Sequence, residues 1–272
     1  MAATGDKWVM TLKPAAAEPS TTLFCFPYAG GSPETFRAWG EGLAPDVELL
    51  CVILPGRGRR LKEPRYDRWQ PLVDDVFEAL SPYLHRRHAF YGHSFGGRLA
   101  YELCQLAAAR FPGRTHRLFV SGCRSPDVPQ ARPYMHEMTE SGFADAVAKM
   151  GGTAAELFAQ ERMLRLFLPT MRSEIRLAEI WENHHASGVD VPITALYSPA
   201  DPIDDRATMR GWSGFTRRDC ELIEVPGGHF FVDSHPEHVT RIVNTRLGNP
   251  NGEAHRFARG AIHSPEDQQD RG

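Results

Sequence analysis

Short apolar runs alternate with longer amphipathic segments along most of this chain, and this alternation is the feature that most constrains its fold. The runs read as strands and cover residues 8–12, 23–26, 49–54, 88–91, 118–121, 193–197 and 222–225. Strands that alternate with helical segments predict an α/β fold, because helices that connect parallel strands cover the faces of the sheet. We therefore expect a mostly parallel central sheet with helices on both faces.

The segments between the runs have the periodicity of amphipathic helices. One helix is expected from residue 71, with an apolar face formed by Val73, Val76, Phe77, Leu80 and Leu84. A second is expected from residue 97, and the Phe-Pro-Gly sequence at 111–113 ends it. A last helix is expected over residues 236–247, with Gly248 as its C-terminal stop.

The stretch from residue 126 to about residue 188, called the lid segment below, interrupts the alternation. It has helical periodicity, no convincing strand and many large apolar side chains. We expect it to lie over the C-terminal edge of the sheet, where ligands bind in folds of this kind. Residues 249–272 are polar and predict a disordered tail. The expected organisation is one domain over residues 1–248 that carries the lid segment, followed by the tail.

Composition excludes several classes of function. The net charge of -3 and the pI near 6.5 give no electrostatic reason to expect a nucleic-acid partner. No apolar run approaches the roughly 18–20 residues of a membrane span, and residues 1–6 lack the features of a secretory signal. The five scattered cysteines are typical of small buried residues in a reducing cytosol. We expect a cytoplasmic monomer with no membrane partner and no metal site.

Residues 92–96 read Gly-His-Ser-Phe-Gly and match the Gly-x-Ser-x-Gly pattern of a nucleophile elbow. A predicted strand ends directly before the motif and a predicted helix follows it. Such a turn holds Ser94 on a strained backbone with its hydroxyl above the sheet. A bare match to so short a pattern often arises by chance, but this structural context and the partners downstream favour Ser94 as the nucleophile.

The base of such a site follows both the serine and the acid in the chain. His229 comes directly after the predicted strand 222–225, in a Gly-Gly-His sequence that lets the imidazole approach the serine. It is the predicted base, which takes the serine proton during attack and returns it to the leaving group. The other downstream histidines fall at the start of the last helix or in the tail: His235, His238, His255 and His263.

Asp201 is the predicted acid of the site. It follows the strand 193–197 at the C-terminal strand end, where reacting groups gather, and it is expected to fix the imidazole tautomer and stabilise the imidazolium. Asp204 and Asp205 are close rivals, and Asp127 is another because it also follows a predicted strand. For each of them, a loop carboxylate that caps a helix is the alternative interpretation.

Acyl transfer also needs two preorganised donors for the developing oxyanion. The backbone N–H of Phe95, directly after the nucleophile, is the first predicted donor. The second is the backbone N–H of Ala29, in the loop 27–32 that reads Pro-Tyr-Ala-Gly-Gly-Ser after a strand. Taken alone, that loop is more typical of an ordinary Gly-Gly turn, and it lacks the glycine spacing of a phosphate-binding loop.

Four motifs in chain order resemble those of type II thioesterases of nonribosomal peptide and polyketide synthases. They are the run 23–32 with Trp39 after it, the Leu-Pro-Gly-Arg-Gly-Arg-Arg sequence at 54–60, the elbow, and Gly-Gly-His-Phe-Phe at 227–231. The similarity extends over about residues 21–247. One departure is the Ser-Pro-Ala-Asp sequence at 198–201, where family members commonly carry a glycine-rich, acidic approach.

The resemblance implies an α/β-hydrolase fold and hydrolysis of acyl groups held as thioesters on the phosphopantetheine arm of carrier proteins. Such enzymes clear stalled or misloaded chains, and the arm belongs to the partner, so no cofactor of this chain is expected. Carried over by position, the resemblance implies a triad of Ser94, Asp201 and His229, with Ala29 and Phe95 as the oxyanion donors.

Two features of the sequence fit this reading. The apolar lid segment suits an acyl chain and a long pantetheine arm. A basic run suits an acidic carrier protein, although a solvated loop is an equal alternative; the run consists of Arg57, Arg59, Arg60 and Lys62.

Other activities remain open at the level of sequence. The chain begins with its own Met1 and no carrier-domain sequence flanks it, which favours a stand-alone editing enzyme over a domain cut from a synthase. A small-molecule carboxylesterase or an acyltransferase with the same triad is the nearest alternative. A non-catalytic binding module that keeps the fold is a more distant one.

Overall fold

A computed structural model describes residues 7–150, 161–185 and 187–248. Within them the chain forms one seven-stranded sheet in the order β1-β3-β2-β4-β5-β6-β7. Strand β1 is antiparallel to β3 and every other neighbouring pair is parallel. The strands are β1 (Val9–Lys13), β2 (Thr21–Phe26), β3 (Val47–Val52), β4 (His88–His93), β5 (Thr115–Ser121), β6 (Ile193–Tyr197) and β7 (Cys220–Glu224).

The helices connect these strands and are numbered here in chain order. They are α1 (Trp39–Gly42), α2 (Trp69–Leu80), α3 (Phe95–Arg110), α4 (Glu140–Met150), α5 (Glu161–Ile180), α6 (Arg206–Met209), α7 (Phe231–Ser234) and α8 (Pro236–Leu247). Short 3₁₀ turns lie at Pro33–Phe36, Gly58–Arg60, Met135–Glu137 and Arg210–Phe215. The predicted α/β fold with a mostly parallel sheet is confirmed.

Strand β2 shows why both faces of the sheet carry helices. All six of its residues are buried, and successive side chains of a strand point to opposite faces. Phe24 and Phe26 pack with α2 and α3 on one face, whereas Leu23 and Cys25 pack with α1 and α8 on the other. A strand that is apolar on both sides can be buried only between two helical layers.

Two boundaries differ from the sequence prediction. The helical periodicity extends to Leu84, yet α2 ends at Leu80 and the chain continues in turns. Pro82 has no backbone N–H to donate to the carbonyl oxygen four residues earlier, which explains the early end, and Leu84 is nevertheless fully buried. Strand β4 continues through Gly92 to His93, so the sheet extends into the elbow motif rather than ending before it.

Between β5 and β6 the described chain consists of the turn at 135–137, helix α4 and helix α5. These helices share a small apolar cluster of Phe143, Val147, Leu168 and Ile175, and Ala29 packs against it. Near the end of α5, Leu177 belongs to the main core, as does Trp181 just after the helix. The lid segment is thus anchored to the main domain through α5. The predicted tail at 249–272 lies outside the described residues.

Two further expectations concern the cysteines and membrane-spanning helices. All five cysteines are free, four of them buried, which agrees with their interpretation as small core residues. Among the helices that the structure describes, none combines the length and the apolar character of a membrane-spanning helix.

A buried histidine in the sheet gives the stability of the fold a dependence on pH. His88 places Nδ1 2.9 Å from the carbonyl oxygen of Arg86, and Nε2 2.9 Å from the Thr115 hydroxyl. Burial lowers the pKa of His88 to about 4, although the backbone hydrogen bond opposes this. Since the unfolded chain protonates His88 near pH 6.5, it binds more protons than the folded chain between about pH 6.5 and pH 4, and stability falls as the pH falls through that window.

We expect the free energy of unfolding to fall by on the order of 2 kcal/mol between pH 8 and pH 5 because of His88 alone. Urea denaturation at both pH values measures this change, and in His88→Gln the decrease should be smaller by that amount. His184 is exposed, so His184→Gln is the matched control and should keep the wild-type decrease. An unchanged pH dependence in His88→Gln contradicts the prediction.

Candidate active site

Ser94 lies on the turn between β4 and α3 with φ 55° and ψ -117°. It is the one non-glycine residue with positive φ in the described chain. Its backbone N–H donates to the carbonyl oxygen of Ser121 at 2.8 Å, which fixes the turn against β5. A backbone of this kind costs about 1–3 kcal/mol and is kept where the surroundings impose it, as at functional sites. The predicted elbow is present.

The two glycines of the motif are required by close packing. A Cβ atom at Gly92 would lie 2.0 Å from the carbonyl oxygen of Gly96, inside the turn itself. A Cβ atom at Gly96 would lie 2.1 Å from the carbonyl oxygen of Phe26 on the neighbouring strand. Neither position accepts a side chain, so the Gly-x-Ser-x-Gly spacing follows from backbone contacts on both sides of Ser94.

His229 and Asp201 form a buried pair. Nδ1 of His229 lies 2.8 Å from Oδ2 of Asp201, and both side chains are almost fully buried. The other carboxylate oxygen of Asp201 accepts the backbone N–H groups of Ile203 at 2.7 Å and Asp204 at 3.1 Å. Burial raises the pKa of Asp201, but the hydrogen bond and charge of His229 and the two N–H donors outweigh it, so the pKa is lower than usual. The carboxylate is therefore ionised at neutral pH and holds one imidazole nitrogen.

The structure separates Asp201 from its three rivals. Asp205 caps α6 by accepting the backbone N–H groups of its first turn, as the alternative interpretation expects. Asp127 is exposed at the surface. Asp204 is buried near the site but only its backbone N–H contacts Asp201. Of these four carboxylates, Asp201 is the one that contacts an imidazole.

Ser94 and His229 line one cavity. Because Asp201 occupies Nδ1, the atom of His229 that remains for the serine is Nε2, which is buried and makes no hydrogen bond within the described residues. Hydrogen bonds between a nucleophile and its base are often long before substrate binds. The arrangement brings the three predicted triad residues together and leaves a buried basic nitrogen available for proton transfer.

His93 is a further residue of the site that the sequence analysis missed. Its Nε2 lies 2.8 Å from the backbone carbonyl oxygen of His229, which can only accept, so Nε2 carries the hydrogen. Its Nδ1 then accepts from the hydroxyl of Ser121 at 2.7 Å. Burial, helped by the charge of His229, lowers the pKa of His93 to about 3, so the ring is neutral at pH 7. His93 thus holds the backbone of the loop 225–230, called the histidine loop below, and its place next to Ser94 in the sequence is the signal by which it could have been found.

Ser198 connects the histidine loop to the loop 198–205, which carries Asp201. Its hydroxyl donates to the carbonyl oxygen of Gly227, and its oxygen accepts the backbone N–H of Ala200 at 3.3 Å. Gly227 has φ 104°, a conformation that favours glycine. The departure from the usual family sequence at 198–201 therefore supplies a contact that fixes the spacing of Asp201 and His229.

The loop that carries Ala29 is a tight turn. The N–H of Gly31 donates to the carbonyl oxygen of Tyr28 at 2.8 Å, and Gly30 has φ 77°, as the third residue of a type II turn requires. The turn does not use the N–H of Ala29, and Ala29 lines the cavity with Ser94. Phe95 begins α3, where the first backbone N–H groups have no partner within the helix. The positions of both residues are compatible with donation to an oxyanion, and their role as donors stays a prediction.

Glu174 of helix α5 holds this turn from the lid side. Its carboxylate accepts the backbone N–H of Gly30 at 2.7 Å and forms an ion pair with Arg57, which also donates to the carbonyl oxygen of Gly31. Both charged side chains are buried. Helical periodicity alone gave no signal for Glu174, because its partners are more than 100 residues away in the chain.

The prediction that the basic run contacts a carrier protein is wrong for two of its four residues. Arg57 is occupied by Glu174 and Gly31, and Arg60 donates to the carbonyl oxygen of Ile53 and to Glu63. Both guanidiniums are buried because they satisfy polar groups of the loop, so they present no charge to a partner. Arg59 and Lys62 are exposed, and a pair of exposed cations is weak evidence for a docking surface.

A cavity that is partly open to solvent lies above Ser94. The apolar residues of its wall come mostly from the lid segment: Met135, Val147, Met150, Met171, Ile175 and Ala178. The wall also carries charged and amide side chains: Arg98, Arg124, Gln130, Arg132, Glu179 and Asp204.

Proteins in which a mostly parallel sheet presents a serine elbow beside a buried histidine–aspartate pair are α/β hydrolases of the serine type, and this chain is one of them. A family model described as "Thioesterase domain" matches residues 21–247. The chain therefore belongs to the thioesterase family.

Its relatives include characterised and structurally solved thioesterases. Thioesterase PikA5 of Streptomyces venezuelae is 30% identical over 241 residues, covering 88% of this chain and 85% of that one. The structure of RedJ, a thioesterase from the prodiginine biosynthetic pathway of Streptomyces coelicolor, matches with TM-score 0.79 and 33% identity, covering 86% of this chain and 94% of that chain. BorB, a type II thioesterase from the borrelidin biosynthetic cluster, matches with TM-score 0.81 and 29% identity over 89% of this chain and 98% of that chain.

Proposed function

We propose that this chain hydrolyses acyl thioesters on the phosphopantetheine arm of carrier proteins in polyketide or nonribosomal peptide synthesis, and so removes aberrant or stalled acyl units. The observation that carries the proposal is the buried His229–Asp201 pair, whose histidine lines one cavity with the strained Ser94 in a chain of the thioesterase family. Relatives named for the prodiginine and borrelidin pathways support the choice of substrate class.

The reaction begins with attack of the Ser94 hydroxyl oxygen on the thioester carbonyl carbon. Nε2 of His229 takes the serine proton, and Asp201 stabilises the imidazolium through the hydrogen bond to Nδ1. The backbone N–H groups of Ala29 and Phe95 donate to the oxyanion of the tetrahedral intermediate. Collapse of the intermediate breaks the C–S bond, and the imidazolium proton goes to the sulfur of the departing arm.

Hydrolysis of the acyl-enzyme completes the cycle. His229 removes a proton from water, the hydroxyl adds to the ester carbonyl of acylated Ser94, and the proton returns to the serine oxygen as the free acid leaves. Every step uses side chains and backbone groups of this one chain, so we propose that it works as a monomer and without a cofactor of its own. The reduced state of all five cysteines fits a place in the cytoplasm beside the synthase.

A panel of carrier proteins loaded with different acyl groups tests this function. Wild-type chain should release the acids and free the pantetheine thiol, and Ser94→Ala should release neither while still folding. An oxygen ester of each acyl group with a small alcohol runs beside the panel. Faster hydrolysis of the oxygen esters would replace the proposal with a small-molecule carboxylesterase, and transfer of the acyl group to an added alcohol or amine in place of water would indicate an acyltransferase.

A further inference from the structure

The residues that line the cavity include two buried arginines that none of the steps above uses. Arg98 is 2% exposed and Arg124 is 8% exposed, and both line the cavity with Ser94. Nε of Arg98 is buried without a hydrogen-bond partner among the described residues. Arg124 donates through Nε to the carbonyl oxygen of Val128 at 3.0 Å. A buried guanidinium with unmet donors is costly, so it points to an acceptor that arrives with a ligand.

Two other arginines of the same chain show what a buried structural guanidinium looks like. Arg57 donates to a carboxylate and to a carbonyl oxygen, and Arg60 donates to Glu63 and to the carbonyl oxygen of Ile53. Among the described residues, Arg98 contacts instead the face of the Trp181 ring, 5.7 Å from its guanidinium carbon. Nε of Arg57 is also buried without a partner, but the terminal nitrogens of Arg57 are paired, whereas the described part of the chain supplies no hydrogen-bond acceptor to Arg98.

The carboxylates of the cavity do not cancel these charges. Glu179 is engaged by the backbone N–H groups of Met135 and His136 and by the His136 ring. Asp204 is buried in the same wall and its charge acts on Arg124, whose pKa burial and the nearby Arg98 lower to about 10. The cavity wall carries three arginines, Arg132 included, against the two carboxylates Glu179 and Asp204, so it keeps an excess of positive charge.

Helix geometry places Arg98 close to the reacting carbon. Arg98 follows Ser94 by four residues on α3, which is one turn or about 6 Å along the axis. Long side chains on a helix lean back toward its N-terminus, and here that direction is toward Ser94. The phosphate of a pantetheine arm lies at the far end of that arm from the sulfur, so the acceptor near Arg98 is an oxygen of the acyl group or of the first amide of the arm. The thioesters tested below share that amide, so a difference between them reflects the acyl group.

We propose that Arg98 and Arg124 form a subsite for an acyl group that carries an oxygen acceptor, a carbonyl or carboxylate a few carbons beyond the thioester, in preference to a plain alkyl group. This inference rests on the proposed thioesterase function and adds its substrate class. The apolar lid wall packs against the methylene groups, and the two guanidiniums donate to the oxygen. A plain alkyl chain leaves those donors desolvated and unpaired, which a site of this kind discriminates against.

The test compares three N-acetylcysteamine thioesters of six-carbon acyl groups: hexanoyl, 5-oxohexanoyl and 5-carboxypentanoyl. These thioesters lack the phosphate of the arm, so any preference reflects the acyl group. Wild-type chain should have a kcat/KM at least about tenfold higher for an oxygenated thioester than for the hexanoyl one. A comparison of the 5-oxohexanoyl and 5-carboxypentanoyl thioesters then shows whether the subsite prefers a neutral or an anionic acceptor.

Arg98→Met should reduce that ratio to less than about threefold. Arg110→Met is the matched control, because Arg110 is exposed at the other end of the same helix, and it should keep the wild-type ratio. Arg124→Met and Arg98→Gln make the same comparison if Arg98→Met does not fold.

Three results overturn the subsite. A wild-type ratio near one, or one that favours hexanoyl, does so without any variant. A ratio that persists in both Arg98→Met and Arg124→Met shows that the preference has another origin. No hydrolysis of any thioester, on carrier proteins or as small compounds, overturns the thioesterase function itself and the subsite with it.

Discussion

Replacement of His229 with alanine should lower kcat for thioester hydrolysis by a factor on the order of 10⁶, since serine and base act as one unit in such sites. Asp201→Asn should lower kcat by about 10⁴, because an amide at this position favours the wrong tautomer of the imidazole. The structural reason is that Nδ1 of His229 is held by Oδ2 of Asp201 at 2.8 Å, with both groups buried, so water cannot substitute for either partner. Release of the free thiol from an acyl-loaded carrier protein measures kcat.

The control for these two variants is Asp127→Asn. Asp127 also follows a strand at the same edge of the sheet, but it is exposed and holds no imidazole, so kcat should not change. Thermal unfolding of each variant separates a lost reaction from a lost fold. If His229→Ala keeps a tenth or more of the wild-type kcat, another group is the base.

Replacement of Glu174 with alanine should lower the free energy of unfolding by about 3–5 kcal/mol, because it leaves the guanidinium of Arg57 buried without its carboxylate. The same change removes the acceptor of the Gly30 N–H at 2.7 Å. The turn that carries Ala29 should then be less well held, so kcat should also fall. Urea denaturation measures the stability, and thiol release measures kcat.

Two further variants test this prediction. Glu174→Gln keeps an oxygen that accepts the N–H of Gly30 but removes the negative charge beside Arg57. Its kcat should therefore stay close to the wild-type value, whereas its free energy of unfolding should be lower. Glu137→Ala removes an exposed carboxylate from the same lid segment and should change the stability by less than about 0.5 kcal/mol. A loss of under 1 kcal/mol in Glu174→Ala would mean that the buried pair does not hold the lid helix to the turn.

The position of Arg57 shows a general limit of reading charge from sequence. Basic residues in a loop predict a charged surface, and this holds for Arg59 and Lys62. Arg57 and Arg60 differ because their long side chains reach acceptors that the loop buries, among them a glutamate 117 residues away. Whether a charge is exposed depends on such distant partners, which local sequence does not reveal.

Local sequence was sufficient where the determining contacts are local. Alternating apolar runs predicted the sheet, because a strand buried on both faces must be apolar throughout. Gly92 and Gly96 predicted the elbow around Ser94, because the atoms that exclude their side chains belong to the turn and to the adjacent strand. The order of Ser94, Asp201 and His229 along the chain follows from the order of the strands that carry them.

Only the tertiary structure decided which distant groups meet. It selected Asp201 among four candidate carboxylates, and it placed His93 under the histidine loop, Glu174 beneath the Ala29 turn and Arg98 in the cavity wall. The physical reason is that hydrogen bonds and ion pairs act over a few ångströms and not along the sequence. The sequence by itself determined the sheet, its elbow and the order of the triad, and the packing of its elements determined what surrounds the serine.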